Sequence, residues 1–181
     1  MQSALVALAM AAGLTGASCS GVGDSDVLSD AQQVIADMKL GPSDLRIIGA
    51  VDHADRRYRV GERIMLSADV NKNASVAVLR VRSNGDTTII FPNSTHSQAA
   101  IAAGSPLSVT TTADKPGNLV FEFVASTRAD AWLFSRKPAG TAEFAELGAT
   151  TRSIAKEILG GVRPGPGASN STASVIVKIR D

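Results

Sequence analysis

The sequence predicts a mainly β protein: an immunoglobulin-like antiparallel β-sandwich of about seven strands, with an N-terminal helix and a helical insertion before the last strand. Two observations predict it. Apolar, β-rich runs recur between residues 45 and 127, and Gly, Asn, Pro and Asp separate them at the short intervals typical of antiparallel strands. Several runs also alternate apolar and polar side chains, as strands with one buried face do. A small open barrel is the alternative arrangement of the same strands.

The composition is that of one globular domain. The chain has 181 residues, of which 44% are apolar and 19% are charged. Only 4% are aromatic, so we expect an aliphatic core. The net charge is +1 and the Lys and Arg residues are scattered, which argues against nucleic-acid binding because phosphates require clustered positive charge. We assign residues 30–181 to a single domain.

The N-terminal region has the features of an export signal. Its first 23 residues carry no charged side chain, and the apolar run Ala4–Leu14 is too short to span a bilayer but suits the apolar region of a signal. The only cysteine, Cys19, follows a patch of small residues, in a pattern that resembles a bacterial lipoprotein signal. We therefore predict a signal peptide over residues 1–18, lipidation of Cys19 and a tether over residues 19–29. A plain signal cleaved near Ser18 is the alternative.

The first predicted elements are a helix and two strands. Ser29 is a suitable N-cap, apolar residues recur after it at helical spacing, and Gly41-Pro42 would end the helix. Leu45–Val51 is a short apolar strand. A charged segment separates it from Arg63–Val70, where apolar and polar residues alternate so that one face is buried.

The next two strands form a hairpin. Ser75–Arg82 is apolar on both faces, which is typical of a central strand that is covered on both sides. Asn84-Gly85 suits a type I′ turn, and Thr87–Phe91 returns from it. Ser94–Ala103 is then an irregular excursion.

The last three predicted strands are Leu107–Thr112, Leu119–Ala125 and Ser174–Arg180. The second of these is the most apolar strand but contains Glu122. We expect Glu122 to face solvent while its aromatic neighbours on either side face the core. The final strand alternates regularly, so we expect it to join the sheet.

A helical insertion is predicted over residues 141–160. Thr141 can serve as its N-cap, apolar residues follow at helical spacing, and Gly148 could divide it into two short helices. Just before it, the apolar patch Trp132-Leu133-Phe134 has two interpretations. It could be an exposed docking patch, since aromatic residues are enriched at interfaces, or it could cap the core beneath the insertion.

Five short pieces of the chain form a pattern of turn and strand markers. They are YRVGE (Tyr58–Glu62), the Asn84-Gly85-Asp86 turn, FPN (Phe91–Asn93), the pair Ala103-Gly104 and the strand PGNLVFEFVAST. In these pieces the segment 58–127 resembles the bacterial domain-of-unknown-function family 4384. The chain differs from that family in having Ala99-Ala100-Ile101 where polar residues are usual. The family has no agreed activity, so the resemblance implies a binding or assembly module and no catalytic residue.

Patterns that carry catalysis or metal binding are sparse. Nucleophilic catalysis needs a Ser or Cys beside an oriented base, and the proximity of Ser94 and His96 on one loop gives no such geometry. The cluster Asp52, His53 and Asp55 falls short of the shaped ligand sets that zinc or calcium requires. We predict no catalytic residue, no metal and no other cofactor. A periplasmic hydrolase with a site near His96 is the alternative function.

The leading hypothesis is a non-catalytic lipoprotein of the bacterial cell envelope. Ser20 after Cys19 resembles the signal for sorting to the outer membrane, on the side that faces the periplasm. The sandwich would bind a protein partner or a cell-wall component, as an accessory of a secretion or envelope system. Binding would use the Ser94–Ala103 loop or an exposed strand edge. The residues expected at the binding surface are Phe91, Pro92, Asn93, His96, Trp132 and Phe134.

Overall fold

The computed structural model describes residues 27–128, 131–162 and 167–181. Within these ranges the chain forms two α-helices, α1 (Asp30–Ala36) and α2 (Thr151–Gly161), a short 3₁₀ turn (Trp132–Phe134) and ten strands. The strands are β1 (Ile47–Val51), β2 (Arg57–Arg59), β3 (Arg63–Val70), β4 (Ala74–Arg82), β5 (Thr87–Phe91), β6 (Ala100–Ile101), β7 (Leu107–Thr112), β8 (Gly117–Ser126), β9 (Ala145–Leu147) and β10 (Asn170–Arg180). The predicted signal peptide and Cys19 lie outside the described residues, as does most of the predicted tether.

The strands form two sheets, as the sandwich prediction requires. The small sheet has the order β1-β3-β7, and the large sheet has the order β2-β10-β8-β4-β5-β9 with β6 also paired to β4. The pairings are antiparallel except that β2 runs parallel to β10. All seven predicted strands are present. The three additional strands, β2, β6 and β9, have two or three residues each.

The core between the two sheets is mainly aliphatic. Phe121 and Phe123 of β8 pack in it against residues such as Leu66 of β3 and Val177 of β10. Gly49 of β1 lies directly over the Phe123 ring, where a side chain would not fit. The alternating pattern of β3 and β10 is therefore the pattern of strands with one face on this core.

A second core covers the other face of the large sheet. Ile35 of α1, Ile154 of α2 and Leu133 of the 3₁₀ turn pack there against Val120 and Val124 of β8. The molecule thus has three layers: small sheet, large sheet and helices. This arrangement explains why β4 is buried along both faces, as its sequence predicted.

Helix α1 begins where it was predicted to begin and ends earlier. Ser29 caps it through a capping box, in which Ser29 Oγ accepts from the N–H of Gln32 and the Gln32 side chain accepts from the N–H of Ser29. The helix ends at Ala36 rather than near Gly41. Met38 and Leu40 are nevertheless buried in the second core, so the apolar residues expected on the helix are used by the segment that follows it.

The helical insertion was predicted to begin too early. Residues 141–150 are not helical, and Thr150 rather than Thr141 caps α2 by accepting from the N–H of Ser153. Ala145–Leu147 instead pairs with β5 as the edge strand β9. A run this short satisfies helical and strand periodicity alike, and the open edge of β5 decides between them.

The expectation that Glu122 faces solvent was wrong. Glu122 does point away from the aromatic core, but it has no exposed surface because the helical layer covers that face of the sheet. Its side chain hydrogen bonds Ser174 of β10. Burial raises the pKa of Glu122 to about 8, against the lowering effects of the Ser174 hydrogen bond and of the charge on Lys39.

Candidate functional site

A surface groove of about 500 Å³ opens where the chain passes from β5 through β6 to β7. We call it the β6–β7 groove. Apolar side chains of Phe91, Ile101 and Leu107 contribute to its lining. The remaining lining residues are Thr95, His96, Ser97, Gln98, Ala100, Ala102 and Ser105. Its volume is in the range of ligand-binding pockets in proteins.

The FPN segment builds one wall of this groove. Phe91 ends β5 and is buried, and the Phe91–Pro92 bond is cis. The Asn93 side chain is 4% exposed, and its Oδ1 accepts from the N–H of Thr95 (3.0 Å) and of His96 (2.7 Å). Its Nδ2 donates to the carbonyl of Ile90 at 3.1 Å. Asn93 therefore fixes the start of the loop that carries His96.

The opposite wall depends on the Ala103-Gly104 pair. The N–H of Ala103 donates to Asn73 Oδ1 at 2.9 Å, which attaches this turn to the β3–β4 connection. Gly104 has a φ of +73°, a conformation that suits glycine and few other residues. The two ends of the Ser94–Ala103 excursion are thus held by different hydrogen-bonding side chains, and the groove lies between them.

The chemistry of the groove is neutral. Its lining contains no Asp, Glu, Lys or Arg, and His96 is its one titratable side chain. No carboxylate lines the groove in a position to orient His96, so the arrangement of base and acid that nucleophilic catalysis uses is not formed by these lining residues. An apolar floor with hydroxyl, amide and imidazole groups around it suits an uncharged ligand or an extended peptide.

The six residues predicted at a binding surface are distributed over two regions. Phe91, Pro92 and Asn93 are buried, and Phe91 is the one of these three that lines the groove, while His96 is exposed on its rim. Phe134 is buried in the second core and Trp132 is half-buried, so these two do not line the groove. Phe134 therefore caps the core, which was one of the two interpretations of the Trp132-Leu133-Phe134 patch. Of the four buried side chains, Phe91 lines the groove, whereas Pro92, Asn93 and Phe134 do not.

The YRVGE segment has a structural role. The Tyr58 hydroxyl donates to Asp52 Oδ1 at 2.7 Å and accepts from the N–H of His53 at 3.2 Å. The His53 ring stacks on the Tyr58 ring with centroids 4.4 Å apart. Glu62 Oε2 accepts from the N–H of Arg59 at 2.8 Å, and Gly61 adopts a φ of +86°. These contacts fasten β2 to the turn that enters β3.

The electrostatics of this cluster follow from the same contacts. A hydrogen bond with the Arg57 carbonyl and the nearby carboxylates raise the pKa of His53, against the opposing effect of desolvation. Desolvation and the hydrogen bond to Asp52 raise the pKa of Tyr58. Within the described ranges no three His, Cys, Asp or Glu side chains are grouped so as to hold a metal ion. Nor, within them, is any helix both long and apolar enough to cross a membrane.

Ile101 lies in the loop that the sequence predicted to bind, whereas Ser105 and Leu107 were not predicted as lining residues. These residues come from β6, from the start of β7 and from the turn between them, and only the fold brings them next to Phe91. The available signal was the lack of charge from Ala99 through Ala113, which is unusual for a surface segment that includes an edge strand.

Comparison with known proteins agrees with the resemblance seen in the sequence. No curated protein matches the chain. Residues 57–144, which include both walls of the groove and the YRVGE turn, match the family described as "Domain of unknown function (DUF4384)". This match supports a DUF4384 domain over residues 57–144 of the chain.

Proposed function

We propose that this protein is a non-catalytic binding module that holds a protein partner in the β6–β7 groove. The observation that carries the proposal is the construction of the groove. Two of the family's marker segments, FPN and Ala103-Gly104, are fixed by backbone N–H groups that donate to the side-chain oxygens of Asn93 and Asn73, and these hydrogen bonds hold the two ends of the loop that lines the groove. The loop that these hydrogen bonds fix thus lines a neutral concave surface.

We further propose that the module acts in the bacterial cell envelope, anchored by a lipid on Cys19. The support comes from the sequence: an uncharged, apolar beginning, small residues and a single cysteine after them. Ten residues, 20–29, would then separate Cys19 from α1, which at about 3.3–3.6 Å per residue allows a reach of at most roughly 33–36 Å from the membrane. Incorporation of an alkyne-labelled fatty acid into wild type, but not into Cys19→Ala, tests this anchor; labelling of neither protein would refute it.

Binding of a protein partner in the groove is tested by cross-linking in cells. A photoreactive amino acid at Ser105, on the groove rim, should cross-link a distinct polypeptide, and the same group at Lys156 on the exposed side of α2 should not. Ala100→Trp fills the groove from an exposed position and should abolish the cross-link. Ala139→Trp, at an exposed position away from the groove, is the matched control and should preserve it.

Two results would contradict the proposal. Equal cross-linking from Ser105 and Lys156, or cross-linking unaffected by Ala100→Trp, would show that the groove is not the contact surface. If the wild-type protein sediments with isolated cell wall and Ala100→Trp does not, the occupant of the groove is a cell-wall component and not a protein.

A further inference from the structure

The edges of the two sheets are protected to very different degrees. At the edges of the large sheet, β2 and β9 have three residues each and carry exposed charged side chains. At one edge of the small sheet, β1 contacts β10, and the N–H of Ile47 donates to Ser171 Oγ at 3.3 Å. Strand β7, at the other edge, has six residues (LSVTTT), none of them charged and none of them proline. Natural proteins usually block an edge of this kind, because it is a template for pairing with another chain.

The hydrogen bonds at the end of β7 show which of its backbone groups are available. The N–H of Ala113 donates to the Glu62 carbonyl at 2.9 Å, and the N–H of Gly61 donates to the Ala113 carbonyl at 2.7 Å. Ala113 therefore directs its backbone groups towards β3. Because direction alternates along an antiparallel strand, Ser108, Thr110 and Thr112 direct theirs to the other side. No strand of the described residues pairs with β7 there.

The edge is also held in a fixed position from within. Val109 is buried in the core between the sheets. Thr111 Oγ1 accepts a hydrogen bond from Nη1 of Arg80 at 3.2 Å, and Arg80 is itself buried on β4 of the large sheet. Strand β7 is thus pinned to the opposite sheet through its inward side chains. A partner strand would meet an edge that is already ordered, which reduces the entropic cost of pairing.

The free edge is continuous with the β6–β7 groove. Leu107 begins β7 and also lines the groove, and Ser105 precedes it on the rim. A strand added beside β7 would therefore pass the groove at one end. Its side chains would alternate between the outer face and the inner face, where the neutral, partly apolar lining formed by Phe91 and Ile101 accepts an uncharged side chain.

We propose that β7 receives an extended strand of the partner polypeptide, which continues the small sheet and places an apolar side chain in the β6–β7 groove. This inference rests on the proposed function and specifies the partner's chemistry. The partner segment is an unstructured or edge-strand stretch of about six residues, uncharged at the positions that face inward. Main-chain hydrogen bonds to Ser108, Thr110 and Thr112 supply affinity, and the groove supplies specificity.

The test uses linear twelve-residue peptides selected from a phage-displayed random library on the purified wild-type protein. Thr110→Pro removes the N–H that points to the free edge, and proline is tolerated at such an edge position. Thr110→Val keeps that N–H and is the matched control. We expect Thr110→Pro to weaken binding of a selected peptide by about tenfold, since it removes a hydrogen bond and places a ring against the added strand. We expect Thr110→Val to change binding by less than about twofold.

Hydrogen exchange provides a readout that does not depend on the variants. In wild type, the bound peptide should slow exchange at Ser108, Thr110 and Thr112, while Val109 and Thr111 are slow with or without peptide because they bond to β3. Slow exchange at Val109 and Thr111 in Thr110→Pro would also show that this variant keeps its fold.

The outcomes separate the inference from the proposed function. Peptide binding that is lost in Ala100→Trp and unchanged in Thr110→Pro would overturn strand addition and leave the groove as the binding site. Failure to select any peptide, or binding that neither variant affects, would overturn both. Protection of Ser108, Thr110 and Thr112 that rises with protein concentration in the absence of peptide would show that a second copy occupies the edge, and would overturn the assignment to a partner strand.

Discussion

Replacing Glu122 by glutamine is expected to stabilise the protein at pH 8 and to leave its stability nearly unchanged near pH 4.5. Glu122 has no exposed surface, and among the described groups its Oε1 has no hydrogen-bonding partner. Its Oε2 contacts the hydroxyl of Ser174, which also lies 3.3 Å from the Ala36 carbonyl at the end of α1. Ser174 has a single hydroxyl hydrogen to donate. A protonated Glu122 can donate to Ser174 while Ser174 donates to Ala36, whereas an ionised Glu122 competes with Ala36 for that hydrogen.

The sign of the pH dependence follows from the direction of the pKa shift. Burial raises the pKa of Glu122 from 4.5 to about 8 in the folded protein. The folded state therefore binds this proton more tightly than the unfolded state does. The resulting stabilisation is complete below about pH 4.5 and is lost as the pH rises towards about 8.

The size of this loss of stability follows from the shift in the pKa of Glu122. Each pKa unit corresponds to about 1.4 kcal/mol, so the full difference amounts to roughly 5 kcal/mol between the two ends of this pH range. Local opening of the seven-residue helix α1 would admit water to the carboxylate before global unfolding, which lowers the expected effect to roughly 2–4 kcal/mol. A glutamine amide donates to Ser174 as the protonated acid does and does not ionise.

The assay is urea unfolding of wild type and Glu122→Gln at several pH values from 4.5 to 8. The free energy of unfolding of wild type should fall across this range relative to that of the variant. His53, whose pKa is also raised, contributes a loss of stability with the same sign above its unfolded value of 6.5, but it is present in both proteins and cancels in the difference. A difference between the two proteins that stays constant from pH 4.5 to pH 8 would refute the reasoning.

Two further substitutions test the packing and the groove. Gly49→Ala should destabilise the protein by about 1–3 kcal/mol, because the new Cβ would lie less than 3.0 Å from ring carbons of the buried Phe123; thermal unfolding measures this, and an unchanged midpoint would show that the ring can move. Asn93→Ala should cost about 1–3 kcal/mol and speed amide exchange at Thr95 and His96, because their N–H groups lose a buried acceptor. Asn93→Asp keeps that acceptor, so exchange at these two amides that is as fast as in Asn93→Ala would contradict the role given to the side chain.

The fold could be predicted to the extent that local patterns determine it. All seven strands were found because they have alternating or continuous apolar runs between turn residues. The turn at Asn84-Gly85 is also present, but the predicted type I′ was wrong: Gly85 has a positive φ of 90°, whereas the φ of Asn84 is not positive, and type I′ requires a positive φ at both positions. The sequence also located the capping residue Ser29. The short strand β2 was missed because its three residues, Arg57–Arg59, have no periodic signal and pair only through the distant β10.

What could not be predicted depends on contacts between distant parts of the chain. The pattern of β8 placed Glu122 on the correct face, but burial of that face is decided by α1 and α2, which lie far from β8 in the sequence. The same limit applies to the site. Phe91 and His96 were identified from one loop, whereas Leu107 reaches the groove only because β7 lies beside β5 in the opposite sheet.

The marker residues fix the walls of the groove and the lining residues form its surface, so the two groups would contribute differently to the choice of partner. Asn93 is buried and holds the groove wall by accepting hydrogen bonds from backbone N–H groups, so under the proposed function it would serve any partner that the groove can accept. Ala100 and Ile101 line the groove at the positions where the resemblance leads us to expect polar residues. The groove of this protein is therefore less polar there than the family pattern implies. An apolar partner side chain gains free energy on entering such a surface and a charged one loses it, so we expect partner choice to follow these lining positions rather than the marker segments.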